Sequence, residues 1–143
     1  LSSAGKADGR DYTLGLINSQ VVPSYDNLAV SSVREYRELM TRHHPVLPTS
    51  LAGTDYLALD QSFVGFEGFL NAKLLVEVLT RLGDHPQRAD VAAAVAGIRR
   101  FDLGMGAPIS FSPQRNQGSD AIYYTTVRDG RFVTVQDWAE WAK

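Results

Sequence analysis

From Ala29 to Ala96 the sequence reads as helix, and the runs that read as strand lie outside that stretch, towards the two ends of the chain. A self-contained α/β domain alternates strand and helix along its length. This order leaves two solutions. Either the chain is a small α+β domain whose distant strands pair with one another, or it is a portion of a larger α/β fold whose remaining strands lie outside it.

The local signals are specific enough to place elements. Tyr12–Val22 is rich in β-branched and aromatic residues and stops at Pro23, which cannot continue a ladder. Residues 23–27 read as a turn or crossing segment. A helix is expected over Ala29–His43, with Val30, Val33, Tyr36 and Met40 on one face. Ser32 with Glu35 has capping-box spacing, and Ser31 or Asn27 are alternative caps. His44-Pro45 stops this helix, because the residue before proline is pushed out of the α region. A loop follows over Val46–Thr54.

The longest helix is expected over Ser62–Leu82. Phe63, Leu70, Leu74 and Val78 give it an apolar face, flanked by Leu75 and Leu79. So much apolar surface implies burial on more than one side. Gly83 suits a left-handed C-terminal cap. A shorter helix over Gln87–Ala96 carries a slim VAAAVA centre, and Gly97 ends it. Pro108–Ser112 reads as a short strand. Ala121–Arg128 and Arg131–Val135 flank Asp129-Gly130, the strongest short hairpin signal, since both turn positions need positive φ. Trp138 and Trp141 mark a short amphipathic end.

Composition removes several function classes. Fourteen Lys and Arg against sixteen Asp and Glu leave a net charge of −2, without the basic excess of a nucleic-acid binder. There is no cysteine, so disulfides, thiolate metal sites and thiol nucleophiles are excluded. No run of apolar residues is long enough to span a bilayer as a helix. The opening residues have no charged segment followed by an apolar one, so no signal peptide is expected among them. Leu rather than Met at position 1 fits a processed product or a piece of a longer chain.

Catalytic and metal patterns are weak. His43 and His44 are adjacent at a helix end and diverge, so they suit the helix dipole better than one metal. His85 before Pro86 reads as a loop residue. No histidine has a Ser or Asp at a diagnostic spacing. Gly104-Met105-Gly106 is followed by a proline and a strand, and so reads as a tight turn rather than a phosphate loop. No metal, cofactor or catalytic residue is expected.

Three stretches decide between the two solutions. The first is Ser19-Gln20-Val21-Val22-Pro23, followed by Val33-Arg34-Glu35-Tyr36. The second is Phe66-Glu67-Gly68-Phe69-Leu70-Asn71-Ala72-Lys73-Leu74-Leu75. The third is Phe101-Asp102-Leu103-Gly104, then Ile109-Ser110-Phe111-Ser112-Pro113, then Asn116-Gln117-Gly118-Ser119. In this order and spacing they resemble the C-terminal portion of a branched-chain amino-acid-type periplasmic substrate-binding protein, the receptor of an ABC importer. The resemblance runs over nearly the whole chain.

The resemblance implies an α/β fold, a partial type I periplasmic-binding-protein fold: C-terminal pieces of two Rossmann-like lobes, with a C-terminal β-hairpin. Residues 1–22 would supply a second-lobe strand and residues 23–118 first-lobe helices and a strand. Residues 119–143 would form the return crossing and the second-lobe hairpin. Ligand would sit in the cleft between lobes. Much of its contact would come from an N-terminal part outside these residues. The implied partners are a small-molecule ligand (an amino acid or related carboxylate), the membrane permease of an ABC importer, and the missing N-terminal portion or a second copy. The implied location is the periplasm, and no nucleic acid is involved.

On that resemblance, Phe63 and Phe66 near the start of the long helix are candidates to cover an apolar ligand side chain, with core packing as the alternative for each. Tyr25 beside the crossing is a further cleft candidate, or else a hinge residue packed on Pro23. Glu67 would meet a ligand ammonium, or else is a solvated carboxylate near a helix start. Gly118 and Ser119 suit a hinge before the last crossing. Two other functions remain open. One is the sensor domain of a signalling receptor. The other is a small α+β hydrolase-type enzyme using Glu67, Asp102 and a histidine, which requires those groups within about 4–6 Å of each other.

Overall fold

The computed structural model describes residues 9–53 and 58–141. Residues 1–8, which begin a stretch whose Gly, Ser, Lys and Asp content over residues 1–11 reads as a loop, the end of the loop expected to reach Thr54 and the Trp141 side chain fall outside the described residues. Two bodies are built from the remainder. One is helical: α1 (Ser31–His43), α2 (Phe63–Leu82) and α3 (Val91–Ala96). The other is a three-stranded antiparallel sheet in the order β1 (Ile17–Gln20), β2 (Tyr123–Arg128), β3 (Arg131–Thr134).

The distant ends of the chain pair with one another. Asn18 lies opposite Thr125 and Gln20 opposite Tyr123, so β1 joins β2 across the whole helical body. The β2–β3 hairpin turns at Asp129 (φ 51) and Gly130 (φ 74), both in the positive-φ region that this turn demands. Among the described residues the outer edges of β1 and β3 carry no further strand.

Helix α1 starts two residues later than the spacing suggests. Its N-cap position is Val30, with no side-chain cap. The capping-box expectation fails for a tertiary reason. Ser32 Oγ donates to the Gly104 carbonyl (2.9 Å), which also accepts from Ser31 Oγ (3.2 Å) and Ser32 N (3.2 Å). The Gly104 turn thus takes over the capping of α1. Gly104 has φ +79, and a Cβ there would lie 2.7 Å from Ser31 Oγ, so both backbone and space demand glycine. Helix α1 stops where expected, with His44 in the left-handed conformation and its N–H bonded to Met40 O (3.0 Å).

Helix α2 begins with Ser62 as cap, its Oγ accepting from Gly65 N at 3.0 Å. A Cβ on Gly65 would lie 2.5 Å from the Tyr36 hydroxyl, so α1 approaches α2 tightly here. Lys73 ties the same helices together through an ion pair to Glu35 (2.6 Å). Gly83 has positive φ but an extended ψ (φ 72, ψ −157), not the left-handed cap expected.

Two strand expectations shrink. The Tyr12–Val22 run yields only Ile17–Gln20. Its first half is wound into turns by the Asp11 carboxylate, which accepts from Thr13 N (2.8 Å), and by Gly15 at φ +75. Pro108–Ser112 forms isolated antiparallel bridges, Phe101 with Ile109 and Ser112 with Arg115, instead of a strand. The helix expected over Gln87–Ala96 divides into a 3₁₀ turn at Arg88–Asp90 and α3.

The hydrophobic core lies between α1, α2 and the 98–111 segment. Val33, Tyr36, Phe66, Leu70, Leu103, Met105 and Ile109 are buried there, together with Val22. The outer side of α2 lies outside this core. Val64, Leu75, Val76 and Leu79 are exposed there, along a stripe that also holds Gly68 and Ala72. The second buried side that the sequence implies for this helix is therefore open.

Candidate functional site

The four residues singled out as ligand contacts separate into three environments. Tyr25 and Phe63 come together, with ring centroids 4.9 Å apart in an edge-to-face arrangement. Phe63 also meets Phe132 of β3 edge to face at 5.3 Å. Phe66, one turn along, is fully buried against Tyr36 (5.4 Å) and Phe69 (6.3 Å), in the core whose margin Phe63 also touches. Its position is the core-packing alternative. Glu67 is exposed on α2, and no described residue forms an ion pair with it.

Tyr25, Phe63 and Phe132 sit where the two bodies meet. No helix lays a face on the sheet among the described residues, so the junction is narrow. Ser24 reinforces it. This buried serine donates from Oγ to the Phe132 carbonyl (3.0 Å) and accepts from Asp26 N (3.2 Å). Arg37 fixes the crossing segment onto α1 through its ion pair to Asp26 (2.8 Å) and a longer bond to the Tyr25 carbonyl (3.4 Å). Tyr123 Oη of β2 donates to Met105 O (3.4 Å) at a second contact. Partial burial raises the Tyr25 phenol above its ordinary value, with smaller contributions from the nearby Asp26 charge and from Tyr36. Burial alone raises Tyr123.

Phe132 and Ser24 were not legible as site residues in the sequence. Each belongs to the junction only through contacts to segments far away along the chain. Gly118, read as a hinge glycine, has a different constraint: a Cβ there would lie 2.7 Å from the Phe111 ring, and its carbonyl accepts from Ser110 N (3.0 Å).

The larger cavities do not involve these four residues. One of about 590 Å³ lies at the C-terminal end of α1, between His44, Pro45, Leu51 and Leu59. Another, about 540 Å³, lies at the N-terminal end of α1, between Val30, Arg100, Asp102 and Pro108. Two of the groups named for a hydrolase lie far apart. Asp102 lies at one end of α1 and His43 and His44 at the other, separated by thirteen residues of helix, roughly 20 Å. Asp102 Oδ1 instead accepts from Gly104 N (2.7 Å) and holds the capping turn. Among the described residues no group of three His, Asp or Glu side chains is arranged to hold a metal ion. No helix there is long and apolar enough to cross a membrane.

No family model and no curated protein matches this sequence. Solved structures do. A possible leucine/isoleucine/valine-binding protein from Rhodopirellula baltica aligns over 97% of this chain with 29% identity and a TM-score of 0.74. The fold matches part of a periplasmic binding protein. A substrate-binding periplasmic protein from Ralstonia solanacearum aligns over 92% of the chain with 26% identity and a TM-score of 0.68. A branched-chain amino acid ABC transporter protein from Thermus thermophilus, solved with bound valine, shares the fold at 15% identity, over 95% of the chain with a TM-score of 0.61. The chain spans about a third of each of these proteins: 34%, 34% and 35% of their lengths. The α/β reading in its coarse form therefore holds: these residues resemble the lobes of the type I periplasmic-binding-protein fold.

Proposed function

We propose that these residues belong to an extracytoplasmic solute-binding receptor of an ABC importer, which closes two lobes around an amino acid or a related small carboxylate. One observation carries the reading. A helical body and a separate antiparallel sheet, joined by a narrow crossing, match a possible leucine/isoleucine/valine-binding protein over 97% of the chain. In this reading the helical body is part of the first lobe and the sheet part of the second. The outer face of α2 packs on first-lobe structure outside these residues, and the permease receives the closed, liganded form. The protein works in the periplasm and performs no covalent chemistry. Glu67, exposed on α2, meets a ligand ammonium, and Tyr25 faces the cleft from the crossing. Phe66 supports the first lobe from its core.

Titration calorimetry of the intact protein tests this reading against branched-chain, aromatic and acidic amino acids and aromatic carboxylates. Saturable binding of one ligand class, with the ligand recovered unchanged, is expected. Consumption of the ligand, or no heat with any member of the panel, would contradict it.

A further inference from the structure

We propose that Phe63 is a positioning residue, the pivot that sets the resting angle between the helical body and the sheet, and not a wall of the ligand cleft; this rests on reading the two bodies as parts of two lobes. Phe63 opens α2, directly after the Ser62 cap that fixes the helix start. Its ring makes edge-to-face contacts with two partners, Tyr25 of the crossing (4.9 Å, 72°) and Phe132 of β3 (5.3 Å, 73°). Phe63 also packs against the helical core and is half-buried, which leaves little of its ring for a ligand.

The surroundings fix each partner of that ring to a different body. The Tyr25 backbone and Asp26 are tied to α1 by Arg37. Phe132 is tied into the hairpin, its backbone paired opposite Val127. Ser24 Oγ spans the junction to the Phe132 carbonyl (3.0 Å) and shields that bond by its own burial, with 2% of its surface exposed. Any rotation of the sheet against the helices has to slide the Phe132 ring across Phe63 and stretch the Ser24 bond. Edge-to-face aromatic pairs have defined minima, so the contact favours particular angles instead of yielding smoothly. Relative motion of two bodies is absorbed at a few residues at the ends of elements, which is where Ser24, Tyr25 and Phe63 lie.

The test uses the intact protein with spin labels on Glu38→Cys in α1 and Arg131→Cys in β3, both exposed. The distance distribution is recorded without ligand. Phe63→Ala is expected to shift the distribution or broaden it about twofold. Phe132→Ala should do the same, and the double variant should add nothing beyond the larger single effect. An unchanged distribution in Phe63→Ala with weakened ligand binding would overturn the proposal in favour of a ligand wall. Independent, additive effects of the two substitutions would also overturn it. If Phe63→Ala does not fold, Phe63→Leu and Ser24→Ala replace it; both should shift the distribution in the same direction by a smaller amount, and no shift in either overturns the pivot. The label distances need no ligand. A protein that binds no member of the calorimetric panel yet shows these shifts would therefore sink the transport reading and leave the pivot standing.

Discussion

The helical body and the sheet solve the burial problem in opposite ways. The helices bury a continuous apolar cluster from Val22 to Ile109, with Val33 and Phe66 fully enclosed. The sheet contributes no residue to that cluster, and the strand side chains it buries most deeply are Thr125 and Thr126. The helices have a core but leave the outer side of α2 uncovered. Among the described residues the sheet has closed ladders between its strands but adds no apolar side chain to that cluster. An isolated sheet of this kind is at best marginally stable, and three strands need an apolar face or a packed helix to stand alone. Each region leaves surface uncovered, and the deficits differ, as the two-lobe reading proposed above expects.

The sharpest way to break this contrast is to hollow the helical core. Phe66→Ala should cost about 3–5 kcal/mol in urea unfolding of the intact protein, because it deletes a fully enclosed ring. A cost below about 1 kcal/mol would mean that the helices have no core worth the name. Gly104→Ala should cost less, about 1–3 kcal/mol, through its positive φ and the 2.7 Å approach to Ser31 Oγ. Its effect should fall on α1, whose start the Gly104 carbonyl caps, and amide exchange there should quicken before exchange in β2. On the sheet, Thr125→Val should stay within about 1 kcal/mol of the parent, since the bond from its hydroxyl to the Asn18 carbonyl is long at 3.5 Å. A loss as large as that of Phe66→Ala would show that the sheet holds a core after all.

The smallest effect concerns pH. Tyr25 and Tyr123 are both raised above the ordinary phenol value, so the folded state keeps protons that the unfolded chain releases first. Their contribution is therefore complete below about pH 10 and is lost as pH rises through the folded values. Thermal melts from pH 8 upward should be flat at first and then decline. Phe replacements at both positions should reduce the decline, and an identical decline in that variant would remove the junction tyrosines from the account.

The parts of this fold that were legible in the sequence are those set by local chemistry. Asp129-Gly130 announced its hairpin because few other residue pairs tolerate two positive φ values in succession. His44-Pro45 marked the end of α1 because proline restricts the residue before it. The errors arise where a distant segment intervenes. Ser32 has the spacing of a cap yet spends its hydroxyl on Gly104, seventy-two residues away. The Ile109 segment has strand composition but forms only isolated bridges, Phe101 with Ile109 and Ser112 with Arg115, among the described residues. The site follows the same rule. The helical register brings Phe63 and Phe66 onto one face of a helix, but only the tertiary contacts show that Phe63 reaches the junction while Phe66 is enclosed in the core. Phe132 carries no local sign of its part in that junction.

The incompleteness of the helical body is the claim on which the rest depends. It is tested most directly by the rate at which a maleimide reacts with Leu75→Cys, on the outer face of α2, in the intact protein, with Glu38→Cys on α1 as the exposed control. If further structure covers that face, Leu75→Cys should react at least about tenfold more slowly than the control. Equal rates would mean that the apolar face of α2 stands in water in the working protein, and the two-lobe account would be wrong.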